Sequence, residues 1–226
     1  MAMICECQDP HARRRIVLTG GPGAGKTAVL ELVRQHFCKH VHVLPEAAGI
    51  VFGGGFPRAT EPTVLRAAQR AIFYVQRELE AAAETGNAAI VVCDRGTADG
   101  AAYWFGPDDL WSAVGTSLDE QLGRYDAVIH LRTPGQHDGY NHQNPLRFES
   151  AAQAALVDQR LIDVWAQHPR RFIVEPAADF LAKAKRVLDI LRAQLPECCR
   201  QHRVPDVDGT IDANRVEAPM NTPRTP

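Results

Sequence analysis

The sequence has no apolar stretch approaching the length of a transmembrane helix, and its start, Met1–Pro10, lacks the apolar core of a signal peptide. It also has little excess charge: its formal net charge is −2. This balance gives no reason to expect nucleic acid or an anionic membrane as a partner. We therefore expect a cytoplasmic protein without a membrane span.

Zinc-site spacing is also missing from the cysteines, of which there are six. Cys5 and Cys7 near the start, with Cys198 and Cys199 near the end, could together bind a metal or form disulfides. Their C-x-C and C-C spacing disfavours the metal. The histidines, His40 among them, form no ligand cluster with a carboxylate, so we expect no histidine metal site.

The overall composition is that of one soluble globular domain. Its hydrophobic fraction is 45% and its charged fraction 23%, and 226 residues can bury a substantial core. We expect residues 1–12 to be an N-terminal extension and residues 13–195 to form the globular domain. Residues 196–226 are polar and rich in proline, which predicts a poorly ordered tail.

Apolar runs alternate with helical patterns along the domain, which predicts an α/β fold with helices on both faces of a parallel sheet. The predicted strands are 15–19, 41–45, 88–93, 126–132 and 171–175. The predicted helices are 28–38, 64–84, 118–122, 149–167 and 179–195.

A phosphate-binding motif of the form G-x-x-x-x-G-K-[ST] lies between the first predicted strand and helix. Its glycines allow backbone N–H groups to surround phosphate, and a helix N-terminus favours negative charge. Lys26 is expected to reach the β- and γ-phosphates, while the Thr27 hydroxyl ligates Mg²⁺. We therefore predict that residues 13–195 are a P-loop NTP-binding domain with Mg²⁺-dependent binding of ATP or GTP. For a five-stranded P-loop NTPase of the kinase type, we expect the strand order 2-3-1-4-5. The predicted nucleotide-binding residues are Gly20, Gly21, Pro22, Gly23, Ala24, Gly25, Lys26, Thr27, Ala28 and Arg132.

Three charged residues at strand ends extend this site. Asp94 ends an apolar strand and is expected to hold Mg²⁺ together with Thr27. Arg95 follows it and is expected to contact the transferred phosphate or the acceptor. The alternative is that Arg95 forms a surface ion pair. Glu46 ends the second strand and is a candidate catalytic base, although a carboxylate here could simply cap a helix.

Two loops predicted to be mobile, Gly53–Arg58 and 133–145, are flanked by arginines. Phosphoryl transfer needs cations on the equatorial oxygens, and a closing lid could supply them. Arg58, Arg132 and Arg147 are therefore candidates, each against the alternative of a solvated surface. With Lys26, Glu46, Asp94 and Arg95, Arg147 completes the predicted catalytic set.

An acceptor pocket is expected beside these residues. Arg58 and the aromatic pair Tyr103-Trp104 would shape it. Gln69 and Gln76 lie seven residues apart on the longest predicted helix. If buried, such a glutamine could read the edge of a base, whereas an exposed glutamine is ordinary on a helix.

Several segments together resemble a family of small P-loop proteins labelled "AAA domain" or "predicted ATPase". The resemblance covers roughly residues 15–191. It extends to the nicotinamide riboside kinase-like domain of bacterial NAD regulators. It also extends to the nucleotide-binding domain of an insect TRP-channel-trafficking protein described as binding GTP and phosphoinositides. The segments read Gly-Gly-Pro-Gly-Ala-Gly-Lys-Thr, Leu-Pro-Glu-Ala-Ala, Phe-Gly-Gly-Gly-Phe-Pro-Arg, Ala-Gln-Arg-Ala-Ile-Phe, Cys-Asp-Arg-Gly-Thr and Tyr-Asp-Ala-Val-Ile-His-Leu.

The resemblance implies a kinase-like fold and leaves the substrate open. The sequence does not support the hexameric motor that the "AAA" label implies, because Asp94 is followed by Arg95 rather than a second acid. It also has no arginine-finger motif and no following helical subdomain.

Three functions remain open from the sequence. The first is a kinase that transfers the γ-phosphoryl group to a nucleoside-like small molecule. The second is a nucleotide-dependent switch that recruits a partner. The third is a slow NTP hydrolase in which Glu46 positions water. A guanine-reading Asn-Lys-x-Asp motif is missing, which lowers the expectation of GTP without removing it.

Overall fold

The computed structural model describes residues 7, 10–134, 151–177 and 179–200. Within these ranges, five strands form a parallel sheet in the order β2-β3-β1-β4-β5. The predicted fold class and strand order are therefore confirmed. The strands are β1 (Arg14–Thr19), β2 (Val41–Leu44), β3 (Ile90–Asp94), β4 (Ala127–Leu131) and β5 (Arg171–Val174).

Helices cover both faces of this sheet. Alternate residues of β1 pack on opposite sides, since Ile16 and Leu18 belong to one apolar cluster and Val17 to the other. Strands buried on both faces read as continuous apolar runs, which is why they could be found in the sequence. The helices are α1 (Lys26–His36), α2 (Ala47–Gly53), α3 (Pro62–Ala83), α4 (Leu110–Val114), α5 (Leu118–Leu122), α6 (Ala151–Val164), α7 (Phe180–Arg192) and α8 (Glu197–Arg200).

The two faces carry different helices. Val29 and Val33 of α1 pack with Val187 and Leu188 of α7 against one face. On the other face, the buried residues include Leu122 of α5 and Trp165, which directly follows α6. The predicted long helix is α3. It begins two residues earlier than expected because Pro62 fits the first turn of a helix, where no N–H donor is needed.

Four short elements of the described residues, α2, a 3-10 helix, α4 and α8, were not predicted, and the first two lie beside the nucleotide site. Helix α2 starts directly after Glu46 and contains the beginning of the glycine segment that we expected to be a mobile loop. The second is a 3-10 helix, Thr97–Tyr103. Both are too short and too rich in alanine and glycine to show a clear helical period.

The predicted tail begins with an ordered turn. Helix α8 lies just beyond Pro196, and its Cys199 is only 2% exposed within the core. The rest of the predicted tail, from residue 201 onward, lies outside the described residues, as does most of the predicted loop 133–145. Among the residues described, no helix has the length and apolar character needed to cross a membrane.

Candidate active site

The phosphate loop follows β1 at the edge of the sheet formed by the C-terminal ends of the strands. Gly25 is the N-cap of α1 with φ 94°, and Gly20 has φ 137°. A Cβ at Gly20 would lie 2.0 Å from the Leu131 carbonyl oxygen, so this position requires glycine on steric grounds as well. The loop brings the N-terminus of α1 to the sheet edge, where it can bind an anion.

Lys26 lies buried against this loop. Its Nζ donates to the carbonyl oxygens of Gly20 and Gly21 at 2.7 and 3.1 Å. Burial, with a contribution from Arg95, lowers the pKa of Lys26 to about 7. Phosphate oxygens nearby would favour its charged form again. In contrast, Thr27 is exposed in the first turn of α1, as is Ala28.

The residues predicted to hold Mg²⁺ fit a divalent cation. Asp94 ends β3 and pairs in register with Leu18 of β1. Its Oδ1 is buried, yet it has no hydrogen-bond partner among the described residues. Burial, followed by the negative charge of Glu46, raises the pKa of Asp94 to about 6. A buried carboxylate oxygen without a donor suits a hard cation, and the exposed Thr27 hydroxyl can supply a second oxygen ligand.

Arg95 and Glu46 form an ion pair beside the loop. Arg95 has the unusual φ of 71°, and its Nε lies 2.7 Å from Glu46 Oε1. Its Nη1 lies 3.4 Å from the Gly20 carbonyl oxygen and 3.5 Å from Asp99 Oδ1. The guanidinium also sits 5.6 Å from the ring centre of Tyr103. Arg95 therefore forms an ion pair, the alternative considered from sequence, but its own side chain is only 16% exposed.

Glu46 occupies the N-cap position of α2, the alternative that the sequence left open. Its side chain makes no capping hydrogen bond, however, and pairs with Arg95 instead. Burial alone would raise the pKa of Glu46, but the charge and hydrogen bond of Arg95 lower it. Because its side chain is 38% exposed, the ionised carboxylate remains accessible.

Asp158 of α6 is a site residue that the sequence reasoning missed. It is 1% exposed and accepts hydrogen bonds from the Gly21 backbone N–H at 3.0 Å and Arg132 Nε at 2.7 Å, while His130 Nε2 lies 2.9 Å away. Arg132 therefore reaches the phosphate loop through this carboxylate. A signal was available, since Asp158 interrupts an otherwise apolar buried stripe of α6 that includes Leu161.

Asp99 holds the turn that carries Arg95. It accepts hydrogen bonds from Thr19 Oγ1, from the Gly96 N–H at 2.9 Å and from Trp165 Nε1 at 3.2 Å. The side chain is buried. The positive φ of Arg95 is thus fixed by contacts from β1 and from the residue after α6.

A cavity of about 1020 Å³ opens next to the ion pair, between α2, α3 and the 3-10 helix. Gln69 and Gln76 of α3 line it and are 8% and 2% exposed. Gln76 Nε2 donates to Glu80 at 2.9 Å. In the part of the chain that the structure describes, the Gln69 side chain has no hydrogen-bond partner. The ion pair Glu46–Arg95 lines the cavity on the side of the phosphate loop, and the cavity wall also includes Phe52, Arg58, Phe73, Tyr103 and Phe105.

The structure thus brings the predicted acceptor residues Arg58, Gln76 and Tyr103 together around one space. The Arg58 guanidinium stacks 4.3 Å from the ring centre of Phe52, inside the glycine-segment turn. Arg147, the predicted lid cation, lies outside the described residues.

Comparison with known proteins identifies the family to which the chain belongs. A family model described as "AAA domain" matches residues 15–183. The chain belongs to this family. No curated protein matches the sequence of this AAA-domain protein. Its P-loop domain is the kind that binds nucleoside triphosphates.

Solved kinase structures share the fold of this AAA-domain protein. One is a deoxyadenosine kinase from M. mycoides with bound dATP, with a TM-score of 0.57 and 13% identity over 79% of this chain and 99% of the kinase. Another is a thymidylate kinase from Candida albicans, with a TM-score of 0.53 and 14% identity over 80% of this chain and 92% of that one. At such identities the likeness extends to the fold alone.

Proposed function

We propose that this protein transfers the γ-phosphoryl group of Mg²⁺-bound ATP or GTP to a nucleoside-like small molecule. The observation that carries the proposal is the cavity beside the phosphate loop, which opens at the Glu46–Arg95 ion pair. A hydrolase or a switch needs a place for water or for a moving loop. It does not need a cavity of about 1020 Å³ beside the phosphate loop.

The donor side consists of the phosphate loop and its metal ligands. Lys26 and the backbone N–H groups of the loop bind the phosphates. Thr27 and Asp94 would hold Mg²⁺, which neutralises charge on the triphosphate. Asp158 keeps the loop in its binding shape through the Gly21 N–H.

The proposed transfer moves one proton from the acceptor hydroxyl to the protein. The acceptor hydroxyl oxygen attacks the γ-phosphorus, the bond between this phosphorus and the β,γ-bridging oxygen breaks, and the nucleoside diphosphate leaves. Glu46 accepts the hydroxyl proton: its lowered pKa keeps the carboxylate ionised, and its exposure leaves an oxygen accessible to the acceptor. Arg95 faces the developing charge on the transferred group. Arg147 keeps the lid role expected from the sequence.

Acceptor recognition relies on amides between aromatic walls. Gln69 has a free amide and Gln76 lies deeper on the same face of α3, so both can read the polar edge of a base. Phe73 and Tyr103 offer rings for packing. Arg58 at the glycine segment could contact a phosphate or a sugar. The combination of apolar walls with few polar groups is typical of small-molecule sites.

The experiment is a product search. The protein is incubated with Mg²⁺ and either ATP or GTP, together with a panel of nucleosides and nucleoside monophosphates, and phosphorylated products are identified by mass spectrometry. Nicotinamide riboside belongs in the panel because of the kinship expected from the sequence. We expect a product from one acceptor class with the wild type and none with Lys26→Ala.

A protein that binds nucleotide tightly but phosphorylates no member of the panel would contradict the proposal. The alternative would then be a nucleotide-dependent switch or a slow NTPase that recruits a partner. Capture of a partner by the wild type with ATP or GTP, and not by Lys26→Ala, would support the switch.

A further inference from the structure

A group of sulfur and imidazole side chains lies at the opposite edge of the sheet. Cys38 and His40 come just before β2, and Arg14 at the start of β1 aligns with Val41 through the shared partner Ile90. This edge is therefore formed by the N-terminal ends of the strands. Strands of this length separate it from the phosphate loop by about 15 Å, so the group is not part of the nucleotide site.

Three of the donor atoms converge in the core. The Sγ atoms of Cys38 and Cys199 are 3.4 Å apart, and His40 Nδ1 lies 3.1 Å from Cys199 Sγ and 3.7 Å from Cys38 Sγ. All three residues are buried. In a tetrahedral zinc site, bonds of about 2.3 Å to sulfur and about 2.0 Å to nitrogen place the ligand atoms roughly 3.5–3.8 Å apart. The observed distances are within a few tenths of an ångström of that geometry.

A second set of donors adjoins the first. His11 Nε2 lies 3.5 Å from Cys7 Sγ and 3.3 Å from Cys198 Sγ. The Cys198 and Cys199 sulfurs are 3.6 Å apart, and the His11 ring packs against the His40 ring with centroids 4.9 Å apart. The segment before β1 and helix α8 therefore bring further ligands to the same place.

Hydrogen bonding alone explains this arrangement poorly. His40 Nδ1 has either one hydrogen or one lone pair, so it can pair well with one sulfur, yet two sulfurs approach it. A thiol of the core also needs no polar partner, because it behaves as a small apolar group. Convergence of three donors from the α1–β2 connection and α8 indicates a shared partner.

We propose that this cluster is a structural zinc site, independent of the proposed phosphotransfer. Cys38, His40 and Cys199 are three of the ligands, and the outer set of Cys7, His11 and Cys198 supplies the fourth. Thiolate and imidazole donors select zinc over the oxygen-preferring Mg²⁺. The bound ion would fasten the N-terminal segment and α8 to the edge of the sheet.

Metal content of the full-length protein tests the proposal. The protein is produced with zinc in the medium, purified under reducing conditions without chelator, and analysed by inductively coupled plasma mass spectrometry. We expect one zinc per chain in the wild type and less than a tenth of that in Cys38→Ser and Cys199→Ser. The matched control is Cys93→Ser, which alters a buried thiol of β3 away from the cluster and should keep its zinc.

Two measurements on the wild type avoid reliance on variants that fold poorly. Replacement of zinc by Co²⁺ should give a thiolate-to-cobalt charge-transfer band and the intense visible bands of tetrahedral cobalt. A strong chelator should lower the melting temperature, and zinc, but not Mg²⁺, should restore it. Wild-type protein with no more zinc than Cys38→Ser would overturn the proposal, as would a Cys38–Cys199 disulfide found by peptide mapping.

Substitution of the whole outer set tests whether it supplies the fourth ligand. Cys7→Ser, His11→Ala and Cys198→Ser combined are expected to weaken zinc affinity at least tenfold while the inner three ligands still bind. Unchanged affinity in this triple variant would show that the outer set does not complete the site and would contradict that part of the proposal.

Discussion

The phosphate loop and the cavity beside it are built in different ways. The loop is one contiguous segment whose shape follows from glycine conformations and backbone N–H groups, with Asp158 as one of its distant supports. The cavity is assembled from α2, α3 and the 3-10 helix, which meet only in the folded chain. Substitutions in the loop should therefore remove all nucleotide chemistry, whereas substitutions in the cavity should change the acceptor alone.

Lys26→Ala should have the largest effect. Removing the buried ammonium eliminates a cation at the transferred phosphoryl group, and we expect the phosphotransfer rate to fall by about 10³-fold. The initial rate of product formation measures this loss. Lys185→Ala, which changes an exposed lysine of α7, is the control and should retain the wild-type rate. A rate within tenfold of wild type in Lys26→Ala would show that the loop is not the donor site.

Glu46→Gln tests the junction between the phosphate loop and the cavity. The amide cannot accept the acceptor proton, so kcat should fall by about 10²- to 10³-fold, while nucleotide affinity changes little. Steady-state kinetics and titration with a fluorescent nucleotide separate the two effects. The control is Glu31→Gln on the exposed face of α1.

An unchanged kcat in Glu46→Gln would remove Glu46 from the mechanism. A loss of nucleotide affinity would instead mean that Glu46 acts through Arg95 on the phosphate loop. The loop and the cavity would then not be separable by substitution.

Lowering the pH should weaken the binding of Mg²⁺ at the phosphate loop, because Asp94 becomes protonated. Its pKa is raised to about 6 by burial and by Glu46, so it becomes protonated at a higher pH than an ordinary aspartate. A neutral carboxyl does not hold Mg²⁺, and the concentration of Mg²⁺ needed for half-maximal rate should rise about tenfold per pH unit below that value. Measuring this concentration between pH 5 and 8 tests the prediction, with about 6 as the turning point.

The ionisation of Asp94 has the opposite effect on folding stability: it favours Mg²⁺ binding but destabilises the folded protein. A raised carboxyl pKa means that the ionised form costs stability, and this cost grows as pH rises through the interval from 3.8 to about 6. Asp94→Asn should therefore have a higher melting temperature than wild type at neutral pH without added Mg²⁺. If Asp94→Asn kept the acid-dependent Mg²⁺ requirement, another group would have to be responsible.

Gln69→Ala should have the smallest effect and the sharpest selectivity. Loss of one hydrogen bond to the acceptor is worth about 1–1.5 kcal/mol, so the acceptor KM should rise about tenfold. The nucleotide KM should not change. Gln35→Ala on the surface of α1 is the control. Equal increases in both KM values would contradict the separation between loop and cavity.

The sequence could predict what is contiguous. The strands, the phosphate loop and the position of Asp94 after an apolar strand follow from local patterns, and the strand order follows from the kinase-type fold that the phosphate motif indicates. Asp158 lies far along the chain from the loop it supports, and nothing near Gly21 points to it. The acceptor residues Gln69, Gln76, Arg58 and Tyr103 were named as candidates, but their shared cavity depends on α2 and the 3-10 helix, which are too short to predict.

The cysteine and histidine cluster illustrates the same limit. Adjacent ligands at fixed spacing reveal a zinc site in a sequence, whereas Cys38 and Cys199 are 161 residues apart. His40 forms no ligand cluster with a carboxylate at helical spacing, so the sequence predicts no metal site there. These side chains come together only in the folded chain, because β1 and β2 both pair in parallel with β3 and α8 packs into the same apolar cluster.

The most direct test of the proposed phosphotransfer is a crystal structure with Mg²⁺ and a bisubstrate compound that joins adenosine to a nucleoside through an oligophosphate. The account predicts phosphates on Gly20–Thr27, the metal between Thr27 and Asp94, and the second nucleoside in the cavity beside Gln69, with its linked oxygen near Glu46. A second nucleoside left in solvent, with the cavity empty or filled by side chains, would contradict it.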